Sequence, residues 1–261
     1  MRELVKRSLV ALIFGPVVLA GIYLGGWFTF ALVVIISILM VRETRAFSSV
    51  HLRTGEQIVL LLLCILWQLA ITVDYPHLLN LFISSVIVIF LMELLNHQIS
   101  GTLERTSVML FVFIYCGILL SSFIGVRKYG ALWGLLPVIM VWVVDTFAYW
   151  GGTLLGHHKL AEDYSPKKSI EGFFCGFLSG VVMALGIIYF RPQTDRILLW
   201  SLVFITGIAG QIGDLFESKL KRQFGVKDMS NLMPGHGGMW DRTDSLLWVY
   251  PLFWVVLKLF G

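Results

Sequence analysis

The chain has 261 residues, of which 57% are hydrophobic and only 14% charged, against about 25% charged in an ordinary soluble domain. With a mean hydropathy of +0.84, this composition excludes a soluble globular domain and predicts an all-α integral membrane protein. The formal charge of +4 is no nucleic-acid signature, because the basic residues form no continuous soluble face.

The amino terminus has the basic start and apolar run of a signal peptide. The run continues to Leu24, and no small-x-small cleavage site precedes a soluble domain, so it reads as an uncleaved first span. A span needs about 20 apolar residues, and the sequence predicts about nine: 8–24, 27–41, 57–73, 77–95, 107–126, 131–150, 172–190, 197–216 and 244–260. Gly25-Gly26-Trp27 predicts a tight turn before the second. Cys64, Cys116 and Cys175 fall inside apolar runs without metal-ligand spacing, and read as small buried residues. No internal repeat or linker is visible. The expectation is one polytopic domain over 1–261, with a catalytic half at about 140–261. The helices of 1–140 serve as scaffold or as lipid and dimer contacts.

Orientation follows from the basic residues. With the amino terminus in the cytoplasm, fifteen of the 20 Lys and Arg lie inside. The five outside are Arg127, Lys128, Arg191, Arg196 and Lys258. This bias predicts a cytoplasmic amino terminus and places the polar stretches 157–171 and 217–243 on the cytoplasmic side.

Candidate chemistry gathers in the second half. Asp145 is an intramembrane carboxylate, which is costly and reads as functional, with a helix-pinning carboxyl as the bland alternative. Ser165-Pro166 reads as a helix start, with Lys167 and Lys168 in its first turn. The helix dipole disfavours cations there, so the pair points to a bound anion; contact with anionic lipid is the alternative. Glu171 is expected to orient a lysine or close the site. Gly207, Gly210 and Gly213 leave one side of a helix bare for close packing, substrate approach or a homodimer. Asp214, Glu217, Ser218 and Lys221 share the face of one helix. In Pro234-Gly235-His236-Gly237-Gly238 the glycines allow close backbone approach, and the following span invites an anion at its amino terminus. Asp241 and Asp244, three apart, are expected to face Asp214.

These residues carry a resemblance. Ser218, Lys221-Arg222, Lys227-Asp228, Pro234, His236-Gly237-Gly238, Met239, Asp241-Arg242 and Asp244 are similar, in order and spacing, to the signature of the phosphatidate cytidylyltransferase (CDP-diacylglycerol synthase) family. Gly213–Ser218, Asp145–Tyr149, Ser165–Lys168 and Glu171-Gly172 extend the likeness, which is dense over about 145–245 and only topological over 1–140. Met233, Thr153 and Ile170 depart from the usual residues. Thr153 stands where an Arg is common, which puts one phosphate contact in question but not the chemistry.

The resemblance implies that CTP and phosphatidate give CDP-diacylglycerol and pyrophosphate with Mg2+, a second cation being compatible with such chemistry. Asp214, Asp241 and Asp244 are the expected metal ligands. Lys167, Lys168, Lys219, Lys221, Arg222 and Lys227 are candidate phosphate contacts. His236, Gly237 and Gly238 shape or contact the triphosphate, and Asp145 adds a catalytic carboxylate. Asp228 is expected to position the loop. The partners are CTP, phosphatidate in the bilayer and membrane lipids, with no nucleic acid. The location is a multi-pass protein of the cell inner membrane in a bacterial host. A CTP-dependent polyprenol or phytol kinase is the alternative enzyme. A transporter is disfavoured, because no repeat is visible and the polar residues gather at one interface.

Overall fold

The computed structural model describes residues 14–46, 52–230, 232 and 237–261. Over the described residues each predicted stretch overlaps a helix, and residues 8–13 of the first lie outside the described residues. Seven are long and apolar enough to cross a bilayer: α2 (Gly26–Glu43), α3 (Thr54–Thr72), α5 (Thr102–Arg127), α6 (Ala131–Leu155), α7 (Ile170–Phe190), α8 (Arg196–Gln223) and the stretch Trp240–Phe260. Two apolar helices are shorter, α1 (Phe14–Leu24) and α4 (Leu78–Leu94). The described sheet is a two-stranded hairpin, β1 (Lys159–Ala161) with β2 (Ser165–Ser169). The protein is thus an all-α membrane protein.

The chain gathers into two compact units, Met1–Lys128 with Asp228–Trp240, and Tyr129–Lys227 with Asp241–Gly261. The segment 228–240 groups with the amino-terminal helices.

In the first unit, Gly25 and Gly26 have φ of 74° and 52°, the left-handed turn expected between α1 and α2. A Cβ at Gly25 would lie 2.7 Å from Arg127 Nη2. Arg127 donates from Nε to the Ile22 carbonyl (2.6 Å) and from Nη2 to that of Tyr23 (2.8 Å), satisfying carbonyls at the end of α1. The core includes Met40, Leu60, Ile89, Met109, Phe113 and Phe123.

Within α5, Phe113–Leu119 is π-helical, which releases carbonyls from the regular ladder. Buried polar side chains take up that of Cys116: Ser37 Oγ donates to it at 2.7 Å and Gln68 Nε2 at 2.9 Å. A polar group in the apolar core would otherwise go unpaired at a cost of roughly 1–3 kcal/mol.

In the second unit, α6 and α7 approach each other closely, and small residues explain why. A Cβ at Gly172 would lie 2.6 Å from the Ala148 carbonyl oxygen, and one at Gly176 2.9 Å from that of Val144. Only hydrogen at these positions lets the two backbones approach so nearly. The last helix, α9 (Leu246–Phe260), is tied to α6 by Tyr250, whose hydroxyl donates to the Gly134 carbonyl at 2.5 Å.

Candidate active site

The hairpin changes the reading of the first lysine pair. Ser165-Pro166 does not start a helix. It opens β2, which pairs with β1 in antiparallel register, Lys159 opposite Ser169 and Ala161 opposite Ser165. The register shifts between these pairs, where Pro166 has no N–H to give the ladder. The helix starts at Ile170, with Ser169 as its cap, accepting from Gly172 N at 3.1 Å. Lys167 and Lys168 are therefore strand residues, and the argument from cations in a first helical turn falls away. Among the described residues Glu171 meets histidines and not a lysine. Its carboxylate accepts from the backbone N–H groups of His157 and His158, at 3.1 and 3.3 Å, and pairs with His158 Nδ1 at 2.6 Å. It closes the turn before β1 and so holds the hairpin in place.

Lys168 reaches the candidate carboxylates from this strand. Its Nζ lies 2.6 Å from Asp214 Oδ2, both side chains being about a third exposed or less. Lys167 is exposed.

Asp214 sits on α8 just beyond a second π-helical segment, Ile205–Gly210. Gln211 supports that segment, its Nε2 donating to Gly207 O at 2.7 Å and to Phe173 O of α7 at 3.1 Å. The glycine stripe is used inside this unit. A Cβ would lie 2.5 Å from Phe177 at Gly207, 3.1 Å from Val249 at Gly210, and 2.6 Å from Trp248 at Gly213. The stripe thus packs α8 against α7 and α9, and these three glycines offer no bare face to a second copy.

Helix α8 continues to Gln223, so Glu217, Lys219, Lys221 and Arg222 are helical. The expected shared face holds: Ser218 Oγ lies 3.5 Å from Asp214 Oδ1, and Lys221 Nζ lies 3.1 Å from Glu217 Oε1. Lys221 also lies 2.6 Å from Asp241 Oδ1. This triad is deeply buried, with side-chain exposures of 13% for Lys221, 5% for Asp241 and 3% for Glu217. Such a cluster persists because each acid has the ammonium beside it. The ammonium already has two acids beside it, which restricts it as a phosphate contact.

Asp241 and Asp244 separate. Trp240–Thr243 is a single helical turn, and Asp244 lies in the turn that follows, accepting from the Ser245 N–H at 2.7 Å. Asp244 is within electrostatic reach of Asp214, Glu217 and Asp145. Its backbone carbonyl would lie 2.8 Å from a Cβ on Gly213, so the small residue lets α8 and this turn touch. Asp145, on α6, makes no hydrogen bond or ion pair among the described residues. It is accessible yet closely surrounded by protein, and it feels Asp214, Lys168 and Arg242.

The remaining basic residues divide. Lys219 lies 6.0 Å from the Tyr164 ring centroid, a weak cation–π distance. Arg222 donates to the carbonyls of Tyr164 (3.3 Å) and Val226 (3.2 Å), tying the hairpin and the end of α8 together. Lys227 and Asp228 are exposed. Pro234 and His236 lie outside the described residues.

Gly237 and Gly238 belong to the first unit. Gly237 has φ 77°, a conformation that favours glycine. The N–H groups after Gly238 do meet an anion, and it is the chain's own Glu43. Met239 N donates to its two carboxylate oxygens at 2.9 and 2.8 Å, and Trp240 N to one at 3.2 Å. Sequence reasoning did not single out Glu43, and nothing near it in the chain signals the contact.

The chemistry of the donors fits a hard cation. Asp145, Asp214, Glu217 and Asp244 supply carboxylate oxygens only, and Glu217 Oε2 is buried with no hydrogen-bond partner among the described residues. No three His, Cys, Asp or Glu side chains among those residues already converge as metal ligands. Lysines stand against Asp214 and Asp241 instead.

The model of the cytidylyltransferase family matches residues 5–260. Proteins called phosphatidate cytidylyltransferase from Staphylococcus aureus (strain COL), Staphylococcus haemolyticus and Staphylococcus epidermidis are 40%, 42% and 44% identical over 144 residues. Each alignment takes in 55% of this chain and 55% of the relative, so the match spans about half the length of those curated relatives. With the family model matched over almost its whole length and the signature acids and bases meeting in the second unit, this chain belongs to the cytidylyltransferase family.

Proposed function

We propose that the protein is a phosphatidate cytidylyltransferase, making CDP-diacylglycerol and pyrophosphate from CTP and phosphatidate. The observation that carries this reading is the meeting of signature residues from separate elements of the second unit: Lys168 with Asp214, and Lys221 with Asp241. The likeness to the staphylococcal enzymes supports the choice of lipid.

An oxygen of the lipid phosphate attacks the α-phosphorus of CTP, and the bond to the β-phosphate oxygen breaks, releasing pyrophosphate. Both reactants are anions, so the protein supplies mainly alignment and charge neutralisation. Phosphatidate is already ionised near neutral pH and needs no general base. Lys168, Lys167, Lys219, Arg222 and Lys227 are the basic groups offered to phosphate oxygens. Mg2+, when bound, would offset charge on the phosphates. Asp214 and Asp244 would hold it with Asp241, and Asp145 and Glu217 add negative charge around it. The excess of Lys and Arg on one side of the spans supports an active site facing the cytoplasm and an inner-membrane location in a bacterium.

The test uses purified protein, phosphatidate, Mg2+ and CTP radiolabelled at the α-phosphate. Label should enter the lipid phase with release of pyrophosphate. Release of CDP with transfer of the γ-phosphate of CTP to the hydroxyl of a polyprenol or phytol, supplied in place of phosphatidate, would instead identify a CTP-dependent lipid kinase. Asp214→Asn and Asp241→Asn should each abolish turnover while the protein still inserts in the membrane. Near-normal activity in both would sink the assignment of these carboxylates.

A further inference from the structure

Glu43 is the last residue of α2, 7% exposed, far in sequence from every signature residue. Its carboxylate receives Ser230 Oγ at 2.7 Å, besides the backbone N–H groups of Met239 and Trp240. Those two N–H groups open the turn Trp240–Thr243, where no intrahelical acceptor exists for them. A carboxylate suits that place, since it accepts hydrogen bonds and complements the positive end of aligned peptides.

Two further features fit the same arrangement. A Cβ on Gly238 would lie 2.5 Å from Glu43 Oε2. The second glycine of the His-Gly-Gly signature is thus the one residue that leaves room for the carboxylate. Trp240 is fastened from the other side. Its Nε1 donates to the Met40 carbonyl at 2.9 Å, one turn before Glu43, and its ring stacks on Tyr115 and Phe111 at centroid distances of 5.3 and 5.8 Å. Every described partner in this set lies in the first unit.

We propose that Glu43 is a positioning residue for the reaction, holding Gly238–Trp240 so that the turn presents Asp241, the next residue of the chain. The inference rests on the cytidylyltransferase reading above, which gives Asp241 its role. It assigns a catalytic purpose to an amino-terminal helix otherwise read as scaffold, and a partner to Gly238 other than the nucleotide.

The experiment compares full-length Glu43→Gln, Glu43→Asp, Glu43→Ala, Gly238→Ala and the Glu43→Ala/Gly238→Ala pair, purified in detergent. Turnover per folded molecule, melting temperature and hydrogen exchange at the Met239 and Trp240 amides are measured. Glu43→Gln should lower kcat by about tenfold or more with little change in KM for phosphatidate, the pattern of a lost arrangement rather than lost binding. Exchange at the two amides should rise, and Glu43→Asp should recover part of both. Gly238→Ala should be severe alone, yet add no more than about twofold to Glu43→Ala, because the group it collides with is gone. Wild-type kcat in Glu43→Gln and Glu43→Ala with unchanged exchange would overturn the proposal. So would a fall in melting temperature with normal kcat per folded molecule, which marks a scaffold role only. Absence of turnover in the unaltered protein is a failure of the functional reading, and is seen before any variant is made.

Discussion

Replacing Lys221 with Met removes one positive charge from between two buried carboxylates and keeps most of the unbranched stem. The distances are 2.6 Å to Asp241 and 3.1 Å to Glu217. At an effective dielectric of about 20, each contact is worth roughly 5–6 kcal/mol of gross attraction. Most of that offsets the loss of hydration by three charges. The net cost of leaving the acids unpaired is about 3–5 kcal/mol. For a chain of this size about 2–4 °C is lost per kcal/mol, so the melting temperature should fall by roughly 6–20 °C. The assay is thermal unfolding of the purified protein in detergent. Lys221→Met combined with Glu217→Gln should regain much of the loss, since the acid without another described partner is then neutral. Lys221→Met melting within about 2 °C of the unaltered protein, on the same scale, would refute the reasoning and mean that the acids find water or protons at no cost.

Two other outcomes are expected. Gly176→Leu should lower stability by about 1–3 kcal/mol or more through overpacking against α6, whereas Gly186→Leu on the same helix, where nothing lies within 4 Å, should be tolerated; melting curves decide, and equal effects would show that helix propensity rather than close approach governs both sites. Chelation of divalent cations should reduce CTP-dependent turnover to background and Mg2+ should restore it, while full activity in excess chelator would remove Asp214 and Asp244 from any metal role.

The helices were legible because apolar runs of bilayer length have few other solutions. The shared face of Asp214, Glu217, Ser218 and Lys221 was legible because helical spacing fixes it. The hairpin was not, since Ser165-Pro166 carries the local chemistry of a helix start and Ser169 carries it equally well four residues later. Packing of Gly172 and Gly176 on α6, and the Glu171 contacts with the preceding turn, favour the later start. Glu43 was illegible for a different reason: its partners are 187 to 197 residues away. Local pattern carries no signal for a carboxylate whose donors reach it only after folding.

The wide turn at Ile205–Gly210 sets a rotational phase for everything beyond it in α8. Each residue advances a regular helix by about 100°, so the count of residues between Arg196 and Asp214 decides which way the carboxylate row points. Composition in that stretch can drift, provided small residues stay where α7 and α9 press in. Length cannot. Among relatives, substitutions there should be common and gaps absent, because losing one residue would swing Asp214 and Lys221 together away from Lys168 and Asp241.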